Sequence, residues 1–115
     1  MAAPTVGGVV LVRFPFSDLS DYKLRPAFVL ASVGRGDFLL CQITSKRYRD
    51  SSALTLSDHD FRTGGLKRSS FVRPEKLFTA NESLIERQVG TLKVSYWKTV
   101  VNSIEEILYR AIPEK

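Results

Sequence analysis

Cationic and hydroxyl side chains at the ends of two predicted strands are the groups of this sequence best suited to chemistry. Arg25 directly precedes Pro26, where a polar segment enters an apolar strand predicted over residues 27–31. Proline fixes its own φ and biases the preceding residue toward an extended backbone, so Arg25 is held at a defined place. Its planar guanidinium offers two-point donation to a phosphate. An ordinary surface arginine paired with Asp18 or Asp21 explains the residue equally well.

A second group of this kind ends the strand predicted over residues 38–44. Thr44 and Ser45 supply two hydroxyls there, and Lys46 supplies a cation. Together they suit a phosphate, although a simple strand cap is the alternative. Tyrosine among cations is typical of surfaces that hold single-stranded nucleic acid, because bases stack on the ring while cations contact phosphates. The candidate contacts to such a strand, each also explained as a solvated side chain, are Tyr22, Lys23, Lys46, Arg47, Tyr48, Arg49 and Arg73.

The remaining chemistry-bearing residue types are scarce. The chain has one histidine, His59, and one cysteine, Cys41. One histidine excludes acid/base catalysis by a pair of histidines, and one of each disfavours a zinc site. Cys41 follows an apolar run and reads as a buried thiol. No P-loop or GxGxxG pattern occurs. The sequence therefore predicts neither a metal nor a cofactor.

Composition indicates one globular domain over residues 1–115. Hydrophobic residues make up 43% of the chain and charged residues 25%, which is ordinary for a folded protein. The formal net charge is +5, which favours phosphates or acidic proteins as partners, although it is also ordinary for a soluble domain. Neither a signal peptide nor an apolar run long enough to span a membrane is evident, so we expect a cytoplasmic protein.

The predicted elements are short strands followed by one helix. Apolar, β-branched runs predict strands over residues 9–14, 27–31, 38–44, 54–56 and 70–78, with a hairpin turn at 34–37. Pro74 within the last strand predicts a sheet edge or a bulge. Apolar residues at three- and four-residue steps predict a helix that Ser95 would cap; they are Trp97, Val100, Val101, Ile104, Ile107 and Leu108. Polar stretches at 17–24 and 45–53 are predicted loops.

Taken together, these features resemble the MazF/PemK family of toxin endoribonucleases. The resemblance extends from about Gly7 to Leu108. An Arg-Pro strand start followed about twenty residues later by a Thr-Ser strand end is its most specific part. The segments that carry it are VVLVRFPF at 9–16, KLRPAFVL at 23–30, CQITS at 41–45, SFVRPEKL at 70–77 and IERQVGTL at 85–92.

The resemblance implies a mainly β fold, a small SH3-like barrel with a C-terminal α-helix, and a homodimer. It implies metal-independent cleavage of single-stranded RNA by the toxin of a type II toxin–antitoxin system, and an antitoxin whose acidic C-terminal segment occupies the RNA groove. Arg25 matches the family's catalytic arginine and Thr44 its catalytic threonine or serine, with Ser45 as a substitute for Thr44. One departure is Gly7-Gly8, where the family usually carries a Gly-Asp pair.

Two alternatives remain open at this point. A non-catalytic nucleic-acid-binding barrel shares the basic charge and the aromatic residues, but it has no need of the pair Arg25 and Thr44. A gyrase-poisoning toxin resembling CcdB shares the fold, but those toxins act through C-terminal residues that include a tryptophan. Here Trp97 lies well inside the predicted helix.

Overall fold

The described part of the chain folds into a single antiparallel sheet with one long helix. The computed structural model describes residues 3–15, 21–46 and 51–114. Short 3₁₀ turns at Asp58–Asp60 and Glu82–Leu84 precede the fifth and seventh strands. The elements are β1 (Gly8–Pro15), β2 (Tyr22–Gly34), β3 (Asp37–Thr44), β4 (Leu54–Leu56), β5 (Phe61–Gly64), β6 (Ser70–Asn81), β7 (Ile85–Leu92) and α1 (Val94–Arg110).

The seven strands follow the order β4-β6-β3-β2-β1-β7-β5. Leu56 of β4 and Phe61 of β5 lie at opposite ends of this order, yet both belong to one apolar cluster with Val9, Phe28 and Val100. The sheet must therefore curl around this cluster as a half-barrel, and α1 packs against it. A second apolar cluster, built on Val10, Val12, Val29 and Leu40, covers other positions of the same central strands. The predicted fold class, mainly β with a C-terminal helix, is confirmed.

The predicted hairpin is present, but its first strand is longer than its apolar run. Gly34 pairs with Asp37 at the turn between β2 and β3. β2 begins at Tyr22, so Tyr22, Lys23 and Leu24 are paired strand residues rather than loop. The sequence predicts them as loop because they end a mostly polar segment at 17–24. Pairing with β1, which a single segment does not reveal, extends the strand.

Pro74 lies in a bulge of β6, beyond the residues that pair with β4. β6 lies between β3 and β4. Cys41 pairs with Leu77, while the next residue of β3, Gln42, pairs with Arg73. Residues 74–76 are therefore extra on β6, and the proline, which has no N–H to donate, falls where the ladder is interrupted. The predicted bulge is therefore confirmed. β4 pairs with β6 only over residues 70–72, so at Pro74 no described strand pairs with the other side of β6, as predicted for a sheet edge.

The helix is confirmed with two corrections. It begins after Lys93, so Ser95 lies inside the first turn and is not the cap. Val100 is buried and Trp97 and Ile104 pack against the core, but Val101 and Leu108 are exposed. Trp97 packs edge-on against Phe28 at a centroid distance of 6.2 Å. That position removes the support for a toxin acting through an exposed terminal tryptophan.

Two strands were not predicted at all. β5 has only four residues, and β7 has a polar middle, with Arg87 and Gln88 exposed. Neither segment has the apolar run or the strict alternation that identifies a strand from sequence. Both are held by pairing: β7 lies between β1 and β5.

Candidate functional site: a cationic groove

Arg25 and Thr44 meet where β2 and β3 stop pairing. The last pair of that ladder is Ala27 with Gln42. One residue further along, β2 carries Pro26, which has no N–H for the ladder. Continuing the register by two residues would set Arg25 opposite Thr44, and both residues line one groove. The predicted pair is thus brought together by the paired strands of the sheet, and both residues lie just beyond their last hydrogen-bonded pair.

The Thr44 hydroxyl is held in place by the turn that follows it. Its Oγ1 accepts a hydrogen bond from the Lys46 backbone N–H at 3.1 Å. A hydroxyl has one proton to donate in addition to its acceptor lone pairs, so this bond fixes the oxygen and leaves the proton for a ligand. Arg25 is exposed and Thr44 is half-buried. Thr44 can therefore cap the end of β3 and bind a ligand at the same time.

The groove has the electrostatic character of a polyanion site. Its volume is about 590 Å³, and apolar residues such as Leu11, Ile43 and Val89 also line it. Among the described residues that line it there is no carboxylate. Its six cations are Lys23, Arg25, Lys46, Lys67, Arg68 and Arg87. Such a surface attracts phosphates and acidic segments.

Three of these cations were not among the predicted site residues. Lys67 and Arg68 precede β6, where the sequence indicated only positive charge. Arg87 belongs to β7, the strand that was not predicted. The hydropathy pattern could not identify these three cations as groove residues, because only the curl of the sheet brings their segments beside Arg25.

Two predicted RNA contacts are placed elsewhere. Arg73 is only 8% exposed, does not line the groove, and donates from Nη1 to Gln42 Oε1 at 2.7 Å. Its geometry gives the predicted RNA contact no support, because the side chain is occupied inside the sheet. Tyr22 is exposed beside the groove residue Lys23, and the Arg13 guanidinium lies over its ring at 5.8 Å from the centroid.

The other predicted residues divide between the groove and the part of the chain that is not described. Lys23, Ser45 and Lys46 line the groove. Arg47, Tyr48 and Arg49 lie outside the described residues, as does Asp18. Asp21, the other carboxylate considered for Arg25, accepts a hydrogen bond from the Tyr22 backbone N–H at 2.8 Å. No carboxylate of the described segments forms an ion pair with Arg25.

The Gly8 departure has a structural counterpart in Gln88. A Cβ at position 8 would lie 2.6 Å from the Gln88 amide, so an aspartate there requires Gln88 to move. That amide is engaged: Oε1 accepts from the Thr5 backbone N–H at 3.0 Å, and Nε2 donates to Thr5 Oγ1 at 2.9 Å. In this chain, a neutral amide therefore fills the space beside Gly8.

His59 and Cys41 lie away from the groove. His59 is exposed and approaches Ser57 Oγ at 3.1 Å. The Cys41 thiol is buried and donates to the Arg73 carbonyl at 2.9 Å. Across residues 3–15, 21–46 and 51–114, no three potential metal-ligating side chains come together. The helix that the structure describes is not long and apolar enough to cross a membrane.

Fold and site together define a class: a small half-barrel scaffold with a cationic groove at one end of its sheet. A family model described as the PemK-like, MazF-like toxin of type II toxin–antitoxin systems matches residues 5–108. The chain belongs to this family. That membership confirms the resemblance derived from the sequence.

Solved structures show the same fold at low sequence identity. A MazE–MazF complex from Deinococcus radiodurans matches with a TM-score of 0.75 and 18% identity over 95% of this chain and 98% of that one. The toxin MazF-mt6 from Mycobacterium tuberculosis matches at 0.68 and 18%, over 89% and 96%. An endoribonuclease in complex with its cognate antitoxin, from a mycobacterial species, matches at 0.69 and 14%, over 98% and 100%. No curated protein sequence matches this chain.

Proposed function

We propose that this chain is a sequence-preferring endoribonuclease that cuts single-stranded RNA without a metal ion. The observation that carries the proposal is the groove. Arg25, the Thr44 hydroxyl and five further cations line it, and none of the described residues that line it is a carboxylate. Membership of a toxin family adds to it. Similar folds occur in proteins described as mycobacterial endoribonucleases.

The reaction proposed is an internal phosphoryl transfer. The RNA 2′-oxygen forms a bond to the adjacent phosphorus as the bond from phosphorus to the 5′-oxygen breaks. The 2′-hydroxyl loses its proton and the departing 5′-oxygen gains one. The products are a 2′,3′-cyclic phosphate end and a 5′-hydroxyl end, and no external nucleophile is consumed.

Arg25 and Thr44 act on the charge that develops during this step. Negative charge builds on the non-bridging oxygens, and the Arg25 guanidinium can donate to two of them. The Thr44 proton supplies a further hydrogen bond from a fixed oxygen. A guanidinium keeps its positive charge in proteins and is a poor base, so the role proposed for Arg25 is electrostatic. Ser45, also in the groove, is the substitute donor.

The same groove suits the partner that the family implies. An acidic antitoxin segment would compete with RNA because both present negative charge to the same six cations. The similar structures include a MazE–MazF complex and an endoribonuclease with its cognate antitoxin. We propose that the chain acts as a homodimer in the cytoplasm, inhibits growth by cutting mRNA, and is neutralised by such an antitoxin.

The experiment compares Arg25→Ala with a matched variant, Arg110→Ala, at the exposed end of α1. Losing a preorganised donor of this kind costs roughly 100- to 1000-fold in rate. We expect Arg25→Ala to lose cleavage of a long single-stranded RNA by at least this factor, and Arg110→Ala to match the wild type. A folded Arg25→Ala protein with full activity would overturn the mechanism. RNA binding without cleavage by the wild type would favour the binding-only barrel.

A further inference from the structure

The sheet branches at one row of paired residues. Ala27 of β2 pairs with Gln42 of β3, and Gln42 in turn pairs with Arg73 of β6. Beyond this row, which we call the branch row, β2 and β3 no longer pair with each other. Arg25 is paired with β1, whereas Thr44 is paired with β6. The distance between the two proposed catalytic residues therefore depends on how the branch row is held.

Only a short ladder holds the end of β3 to β6. The bulge at residues 74–76 interrupts the pairing of these strands just before the branch row. A bulge leaves residues unpaired and bends its strand, so it weakens the connection to the rest of the ladder. Past the bulge, only residues 42–44 of β3 pair with residues 71–73 of β6. A side-chain bond at the branch row would therefore brace the strand end that carries Thr44.

Gln42 and Arg73 supply such a bond. Arg73 Nη1 donates to Gln42 Oε1 at 2.7 Å, and the arginine is almost completely buried. A hydrogen bond from a charged donor is stronger than a neutral one, and a buried cation is costly when it loses an acceptor. Gln42 precedes Thr44 by two residues, so both side chains lie on one face of β3, about 7 Å apart along the strand. Neither Gln42 nor Arg73 lines the groove.

We propose that Gln42 and Arg73 are positioning residues, which fix the end of β3 so that the Thr44 hydroxyl meets the same phosphate as Arg25. The inference rests on the proposed function and adds to it how the site is held. Arg73 then serves the reaction through its bond inside the sheet and not by contacting RNA. A misplacement of about 1 Å caused by a change far from the reacting atoms can cost roughly 100-fold in rate.

The test separates the rate of cleavage from RNA binding and from stability. Gln42→Met removes the acceptor, Arg73→Met removes the donor with its buried charge, and Gln42→Glu keeps an acceptor. Asn81→Ala is the matched control, because it removes the bond from Asn81 Nδ2 to Asp37 Oδ1 at the other end of the same two strands. Each protein is measured for its single-turnover rate at saturating RNA, for its Tm, and for its Kd toward 2′-O-methyl RNA, whose blocked 2′-oxygen cannot attack.

We expect Gln42→Met and Arg73→Met to lower the rate by roughly 10- to 100-fold. Their Kd should not change, because neither residue lines the groove. Gln42→Glu should recover most of the rate, and Asn81→Ala should lower the Tm while the rate stays that of the wild type. In a Thr44→Val protein, Gln42→Met should cause no further loss, because residues that act through one another are not additive.

A rate loss that recurs in full in the Thr44→Val protein, or that Asn81→Ala reproduces, would overturn the positioning role and indicate a general effect on the fold. Weaker RNA binding by Gln42→Met with an unchanged rate would overturn it as well. Wild-type protein that binds RNA and cuts none would instead reject the proposed function, and the role of the pair with it.

Discussion

Arg25 owes its position to Pro26. The proline removes one N–H from β2 just where pairing with β3 ends, and the arginine beyond it lines the groove. Its neighbours in that groove include five other cations and the Thr44 hydroxyl, beside apolar residues. At the residue scale, the site therefore combines positive charges with one oriented hydroxyl, which suits stabilisation of charge more than transfer of protons.

The Thr44 hydroxyl gives the first residue-scale prediction. Thr44→Val removes both the oxygen that accepts the Lys46 N–H and the proton proposed to reach the phosphate. We expect the single-turnover rate of RNA cleavage to fall by roughly 100- to 1000-fold, since one preorganised donor is lost. Thr44→Ser keeps the hydroxyl and is the matched control, expected within about tenfold of the wild type. Unchanged cleavage by Thr44→Val would contradict this role and leave Ser45 as the proposed donor. Adding Ser45→Ala to the Thr44→Val protein then tests Ser45.

Cys41 gives a prediction on pH. Burial raises the pKa of its thiol to about 12, although a backbone hydrogen bond to Arg73 and the positive charge of Arg73 act in the opposite direction. An unfolded cysteine ionises near 8.5. The neutral thiol therefore contributes its full share of the free energy of unfolding below about pH 8.5, and this contribution is lost as the pH rises toward about 12.

The measurement is urea unfolding of wild type and Cys41→Ala at a series of alkaline pH values. Above about pH 9, the wild type should lose free energy of unfolding faster than the variant does, by ~1.4 kcal/mol per pH unit. Burial also raises the pKa of Tyr96, with the charge of Asp60 adding to the effect. Both proteins keep Tyr96, so the difference between their curves reports Cys41 together with its effect on Tyr96. Parallel curves would show that the thiol does not contribute.

At the scale of elements, the sequence predicts best where a strand has its own apolar run. The central strands, the β2–β3 hairpin and α1 follow from such runs. β7 does not, because Arg87 and Gln88 interrupt it, and Arg87 was missed as a groove residue for the same reason. Arg73 was predicted as an RNA contact from its charge alone, and charge does not reveal that the side chain is buried and bonded to Gln42. Pairing across the sheet determines where these residues lie, and the local sequence pattern does not reveal that pairing.

Tyr96 joins two elements and gives a prediction at this scale. Its hydroxyl donates to the Thr55 carbonyl at 2.8 Å, which ties the first turn of α1 to β4. Tyr96→Phe removes that bond, so we expect the free energy of unfolding to fall by about 1 kcal/mol and the Tm by a few degrees. Tyr109→Phe, at an exposed tyrosine near the end of α1, is the control. Equal Tm values for the two variants would show that the bond contributes nothing.

At the scale of the whole molecule, the fold is retained while most of the sequence changes. Similar structures share 14–20% identity with this chain, yet several cover nearly all of it. In this chain, the apolar cluster curls the sheet, and the ends of β2 and β3 carry Arg25 and Thr44. The formal net charge of the chain is +5, and six of its cations lie together in one groove.

The proposed metal-independent cleavage is the central claim, and end-group analysis in EDTA tests it most directly. Purified protein is incubated with a long single-stranded RNA in excess EDTA, and the ends of the fragments are identified. The account predicts discrete fragments with 5′-hydroxyl and 2′,3′-cyclic phosphate ends, absent from an Arg25→Ala control. Intact RNA with folded wild-type protein, or fragments with 5′-phosphate ends, would contradict it.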